Sequence, residues 1–180
     1  MRSFRWPIDD QAWIRPFTLE DAEAVFALVD ANRERLARWF PWLDGSTGPD
    51  TQRAFIERCI ASETDVEGNG IWVGDELAGG LGMSVDVIGN SGEIGYWLDE
   101  RFEGRGLVTR GCALFIEHGF RVMGLHRILI RAAVDNARSR AVAERLGFTQ
   151  EGIGREAGRV GGGRYVDLVE YALLDREWHG

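Results

Sequence analysis

Residues 93–107 bring several reactive types into one short stretch: the carboxylate of Glu93, the turn Arg101-Phe102-Glu103-Gly104-Arg105-Gly106, and Leu107, where an apolar periodicity starts. Helix N-termini leave backbone N–H groups unpaired and carry a partial positive charge, so a glycine-bearing turn that feeds one makes a cradle for a pyrophosphate. Gly104 and Gly106 would let the backbone approach such an anion with no Cβ in the way, and Arg101 or Arg105 would add charge at the rim. The same two glycines would equally serve a tight turn that needs positive φ. A dinucleotide fingerprint would need Gly-x-Gly-x-x-Gly after the first strand, with an acidic residue about 20 positions on, and a Walker loop would need Gly-Lys-Ser or Gly-Lys-Thr. Neither is present.

These groups can act together only if the surrounding elements place them. Residues 93–98 read as a strand, and 107–123 as a long helix with Val108, Cys112, Phe115 and Ile116 inward and Gly124 at its end. Further strands are expected at 13–17, 71–73, 77–87, 127–134, 148–156 and 165–174. A helix is expected from Thr18, an N-cap with Asp21 three residues on, to about Asn32, with others over 33–40, 51–63 and 137–146. The 51–63 helix should bury Phe55, Ile56, Cys59 and Ile60. Gly158, Gly161, Gly162 and Gly163 predict a long, flexible connection between the last two strands. Short turns in the middle demand antiparallel pairing, while the helix between Leu98 and Arg127 permits one parallel crossover, so the class is mixed α/β.

Composition narrows the function further. A chain of 180 residues, 44% hydrophobic, suits one domain with one sizeable core. No apolar run approaches the roughly 18 residues of a membrane span, and the N-terminus lacks a signal-peptide stretch, so a soluble, cytoplasmic protein is expected. The net charge of −8 argues against nucleic acid as the main partner. Cys59 and Cys112 sit in apolar-periodic segments as small hydrophobes, and His118, His126 and His179 show no paired ligand spacing, so no metal is expected.

The spacing Arg101-x-x-Gly104-x-Gly106 resembles the acyl-CoA pyrophosphate motif of the GNAT superfamily of N-acetyltransferases. The similarity extends to 93–98, to 136–148 from Asn136 to the Gly147-Phe148 pair, and to Tyr165-Val166-Asp167. It covers a single domain over 13–178, leaving 1–12 as an N-terminal extension. Within the superfamily, the Ser139 to Phe148 run and Arg38-Trp39-Phe40-Pro41-Trp42-Leu43 look like the Rim-type (RimJ/RimL) branch, which acetylates protein N-termini, notably of ribosomal proteins.

The resemblance implies an α/β (α+β) fold: a mixed, mainly antiparallel sheet of six to seven strands flanked by helices, with a splayed strand pair holding acetyl-CoA. It implies transfer of acetyl to a primary amine, first a protein or peptide N-terminus, then a small amine such as an aminoglycoside or polyamine. It also implies a homodimer. On this reading Leu98, Arg101, Gly104, Arg105, Gly106, Leu107, Asn136 and Ser139 bind the cosubstrate, and Trp39 and Trp42 border the acceptor. Glu93 is the candidate base, the alternative being a solvated residue at a strand start. Ala143 stands where many members have a proton-donating tyrosine, the one feature that suits a non-catalytic acyl-CoA-binding module. Ser139 is offered instead, to orient the sulfur or relay a proton, or else it bonds its own backbone at a helix start. Asn136 both caps that helix and contacts the pantetheine arm, and Arg138 and Arg140 lie on its exposed side, one of them reaching the 3′-phosphate.

Overall fold

The computed structural model describes residues 4–64 and 66–180. Eight strands form one sheet in the order β1-β2-β3-β4-β5-β6-β8-β7. They are β1 (Trp6–Pro7), β2 (Ala12–Pro16), β3 (Asn69–Val73), β4 (Glu76–Asp86), β5 (Ser91–Leu98), β6 (Arg127–Ala133), β7 (Thr149–Arg159) and β8 (Tyr165–Leu174). The strand beyond the expected six to seven is β1, two residues of the segment read as an extension, which pair with Trp13 and Ile14. A strand that short carries no alternation to betray it.

All neighbours are antiparallel except β5 and β6, whose connection is the helix α4 (Leu107–Arg121). A helical crossover is what a parallel pair requires. Helices cover both faces of the sheet. One face carries α4 and α5 (Ala137–Arg145), whose Cys112, Phe115, Ile116, Val142 and Ala143 pack on Met83, Ile94, Ile128 and Ile130. The other carries α1 (Ala22–Ala31), α2 (Arg33–Ala37) and α3 (Pro49–Ala61), around Val25, Val29, Leu36 and Ile56. Strand alternation lets β5 serve both cores, with Ile94, Tyr96 and Leu98 on the α4 side and Trp97 on the α1 side.

Thr18 is the N-cap as expected, and the helical run opens with a 3-10 turn, Leu19–Asp21, in which the Asp21 carboxylate accepts from the Thr18 N–H and grips Arg15 at 2.7 and 2.9 Å before α1 begins at Ala22. Two local expectations are corrected. Of the four α3 residues expected inside, Ile56 alone is fully buried; Phe55 and Cys59 are half-buried and Ile60 is 49% exposed, while Gln52, one turn before Ile56, is buried with its amide donating to Ser46 Oγ at 2.8 Å. The glycine-rich connection is a docked 3-10 turn, Gly161–Gly163, not a loose loop. Val160 and Gly161 are buried, Gly161 lies against Ala37, and the Gly162 N–H donates to Asp44 at 3.0 Å. Small residues let the turn approach the α2 backbone closely.

Candidate active site

The sheet divides at its one parallel pair. Pairing of β5 with β6 ends at Glu93↔Leu129, yet β5 stays bonded to β4 as far as Leu98, and β6 to β8 as far as Ala133. Each half-sheet is intact, so the two strands diverge as a wedge beyond Glu93. At its apex Arg131 Nη1 lies 3.3 Å from the Glu93 carboxylate, while Arg131 Nε donates to Glu170 at 2.9 Å.

The expected turn lies at the open end of the wedge. Asp99 accepts from the Arg101 N–H at 2.9 Å and from its guanidinium at 3.0 and 2.8 Å, and Arg101 also pairs with Glu76 at 2.5 Å. Burial opposes the charged form of Asp99, but these bonds and Asn32 together hold its carboxyl below the usual range. Arg101 is therefore committed to carboxylates, whereas Arg105, among the described residues, donates to the Arg101 carbonyl at 3.3 Å and lies over Phe102. Gly104 and Gly106 have φ of 75° and 70°, a region costly for other residues, and a Cβ on Gly104 would meet nothing within 4 Å. Both readings of these glycines thus coexist: positive φ and an open approach. The first helical bond of α4 runs from the Arg110 N–H to the Gly106 carbonyl, which leaves the N–H groups of Leu107, Val108 and Thr109 without intrahelical partners.

Across the wedge, Asn136 caps α5 by accepting from the Ser139 N–H at 3.2 Å. Ser139 Oγ lies 2.9 Å from the hydroxyl of Tyr96, a residue to which the sequence assigned no chemistry. Strand alternation places Tyr96 opposite Glu93 and was the signal available, but the partner on α5 lies 43 positions away. Burial pushes the Tyr96 phenol well above its ordinary range, the nearby Cys112 thiol adds to this, and the Ser139 bond opposes it. Ala143 is fully buried in the same core.

Arg138 is 80% exposed and contacts Glu103, whose other oxygen accepts from Arg35 at 2.8 Å. One carboxylate on the turn thus ties α2 to α5 across the wedge. Arg140 is not on the exposed side as expected; it turns inward to the Tyr171 hydroxyl at 3.0 Å, which donates to Glu144. Arg35 also donates to the Leu98 carbonyl at the end of β5.

Alongside β5 is a cavity of about 610 Å3 lined by Phe40, Trp42, Phe55 and Trp97, with Glu67, Glu93 and Arg58 as its charged groups. Trp42 is partly exposed and lines it; Trp39, half-buried, does not. Glu93 and Tyr96 both line this cavity, and the Tyr96 hydroxyl also reaches Ser139 across the wedge. Among the described residues no cluster of His, Cys, Asp or Glu is placed to hold a metal ion, and no helix is long and apolar enough to cross a membrane.

An opening between diverging strands beside the unpaired N–H groups of a helix start suits the extended arm and pyrophosphate of an acyl-CoA. Residues 11–149 match the acetyltransferase (GNAT) domain family. Bacillus subtilis YdaF, provisionally named a ribosomal N-acetyltransferase, is 36% identical over 98% of both chains. RimL, an α-N-acetyltransferase of a ribosomal protein solved with coenzyme A, superposes with a TM-score of 0.89 at 28% identity, over 95% of this chain and 98% of its own. The microcin self-immunity acetyltransferase MccE, solved with acetyl-CoA and AMP, gives 0.84 at 26% identity over 93% and 94%. The family match, the relative and the shared fold agree, and the chain belongs to the GNAT acetyltransferase family as an acetyl-CoA-dependent N-acetyltransferase.

Proposed function

We propose that the acceptor is the N-terminal α-amine of a protein or peptide, which attacks the thioester directly. The observation that carries this is the lining of the cavity on the Glu93 face. Its walls combine aromatic and aliphatic side chains with the neutral polar groups of Ser46, Thr51, Gln52, Asn69 and Ser84, and its charged groups are only two carboxylates and one guanidinium. Such a lining suits one ammonium followed by a short, weakly charged chain. A polyamine or aminoglycoside brings several charges, each needing its own partner once removed from water. Relatives named as ribosomal-protein acetyltransferases support the same reading, and a ribosomal acceptor would place the work in the cytoplasm.

Each residue then has a task. Glu93 exchanges Arg131 for the incoming amine and takes its proton; with an α-amine reference pKa of about 7.7–8.0 a weak base suffices. Gly104, Gly106 and the first N–H groups of α4, from Leu107, hold the pyrophosphate, with Arg105 and Arg138 at the rim. Arg101 keeps the turn in shape through Asp99 and Glu76. The end of β5 at Leu98 and the amide of Asn136 flank the arm, and the Ser139 hydroxyl stands beside the sulfur. Trp42 contacts the acceptor while Trp39 supports that segment. Acetyl-CoA supplies the activated acyl group, whose sulfur leaves with the bonding pair.

Thiol release from acetyl-CoA, measured with free and N-terminally blocked peptides, spermidine and an aminoglycoside, tests this. Turnover on free peptides alone is expected, with the acetyl group located by mass spectrometry on the terminal nitrogen. Turnover on spermidine or the aminoglycoside with none on any peptide would overturn it. Light scattering tests the homodimer that the resemblance implies.

A further inference from the structure

We propose that Tyr96 is a positioning residue: its phenol donates to Ser139 Oγ and so turns the serine proton toward the sulfur of the departing CoA. The inference rests on the placement of Ser139 given above. It starts from an inventory of protons. The Tyr96 hydroxyl lies 2.9 Å from Ser139 Oγ and 3.1 Å from the Ser139 carbonyl oxygen, and a phenol has a single proton to give. If that proton goes to the carbonyl, the serine proton satisfies the phenol oxygen and is turned away from the sulfur. If it goes to Oγ, the serine proton is free to point elsewhere.

A sulfur gaining negative charge selects the second arrangement, because a donor aimed at developing charge is worth more than one aimed at a neutral oxygen. Without the phenol, a serine in the first turn of α5 turns its proton back onto backbone carbonyls. The groups that face the phenol are Ser139 and Cys112, and its pKa is pushed up by burial, so Tyr96 stays protonated across the working range. It is a permanent donor rather than an acid. The balance of the transfer is then complete without ionising either hydroxyl. The C–N bond forms, the C–S pair moves to sulfur, Glu93 takes the amine proton, and the thiolate is protonated by solvent as product leaves.

The test uses bound CoA, whose thiolate absorbs in the ultraviolet, and needs no acceptor, so its outcome is independent of which amine is acetylated. In Tyr96→Phe the bound thiol is expected to titrate at higher pH than in the unaltered enzyme, and Ser139→Ala to give the same displacement. The double variant should go no further than either single one. Turnover should fall roughly tenfold in Tyr96→Phe, with the acetyl-CoA KM little changed. Replacing Tyr96 by 3-fluorotyrosine keeps the ring and strengthens the donor, so the bound thiol should titrate at lower pH; this arm stands even if Tyr96→Phe folds poorly. Titration unmoved by both Tyr96 replacements overturns the proposal. So does a Tyr96→Phe effect that persists undiminished in the Ser139→Ala background, since the phenol would then act without the serine.

Discussion

The wedge and the cavity meet along β5, where Glu93 and Tyr96 border both, and are built differently. The wedge takes its groups from 93–145, largely main-chain N–H groups, glycines and one short amide and hydroxyl pair. The cavity draws on Phe17 and Val25, on Phe40 and Trp42, on Phe55, and on the Glu93 to Trp97 stretch, so side chains from α1 to β5 make its walls. A pyrophosphate is the same in every turnover and can be read by backbone, which substitution barely alters. An acceptor is read by side-chain shape, which can change without disturbing the sheet. On the proposed function, the difference makes donor binding and acceptor choice separately adjustable, with β5 as their shared wall.

Substitutions on each side sharpen this contrast, and any that crosses over would break it. Glu93→Gln should cost the most, about a hundredfold in kcat/KM near neutral pH, with CoA affinity unchanged. The deficit should shrink as pH rises, because more of the amine is then already neutral. A pH–rate profile parallel to that of the unaltered enzyme would remove Glu93 from the base role. Gly104→Glu should come next. A left-handed φ of 75° and a carboxylate facing a pyrophosphate should raise the CoA Kd about thirtyfold, or about 2 kcal/mol by calorimetry.

Trp42→Ala removes an aromatic wall from the cavity and should raise the acceptor KM roughly tenfold while leaving CoA binding alone. The smallest effect is expected for Arg138→Ala. Its exposed ion pair with Glu103 is worth little in water, so the CoA dissociation rate should rise by about two- to threefold and become less sensitive to salt. A CoA affinity lost in Trp42→Ala, or an acceptor KM raised in Gly104→Glu, would show that the two sides are not separate.

The donor side was the legible one. Gly104 and Gly106 needed positive φ, Asn136 was placed to cap α5, and the 93–98 strand before α4 set the direction of both, all from neighbours close in sequence. Arg101 was misleading by type alone: its rim position was readable, but Asp99 and Glu76 claim its charge. Arg140 was equally deceptive, since helical spacing does not reveal that Tyr171 on β8 lies within its reach. Tyr96 went unassigned because its partner sits on an element placed by the fold.

The sequence by itself determined the elements that alternate or repeat cleanly, the single parallel crossover and the positive-φ glycine turn before α4. Each depends on local backbone preference or on the period of apolar residues. Tertiary structure alone decided where β5 leaves β6, how the Gly161–Gly163 turn docks on α2, and which aromatics of the 38–43 run line the cavity. It also decided that a strand tyrosine would meet a helix serine across the wedge. These are distances between segments far apart in the chain, fixed by the competition of two cores for the two faces of one sheet, and no local pattern encodes them.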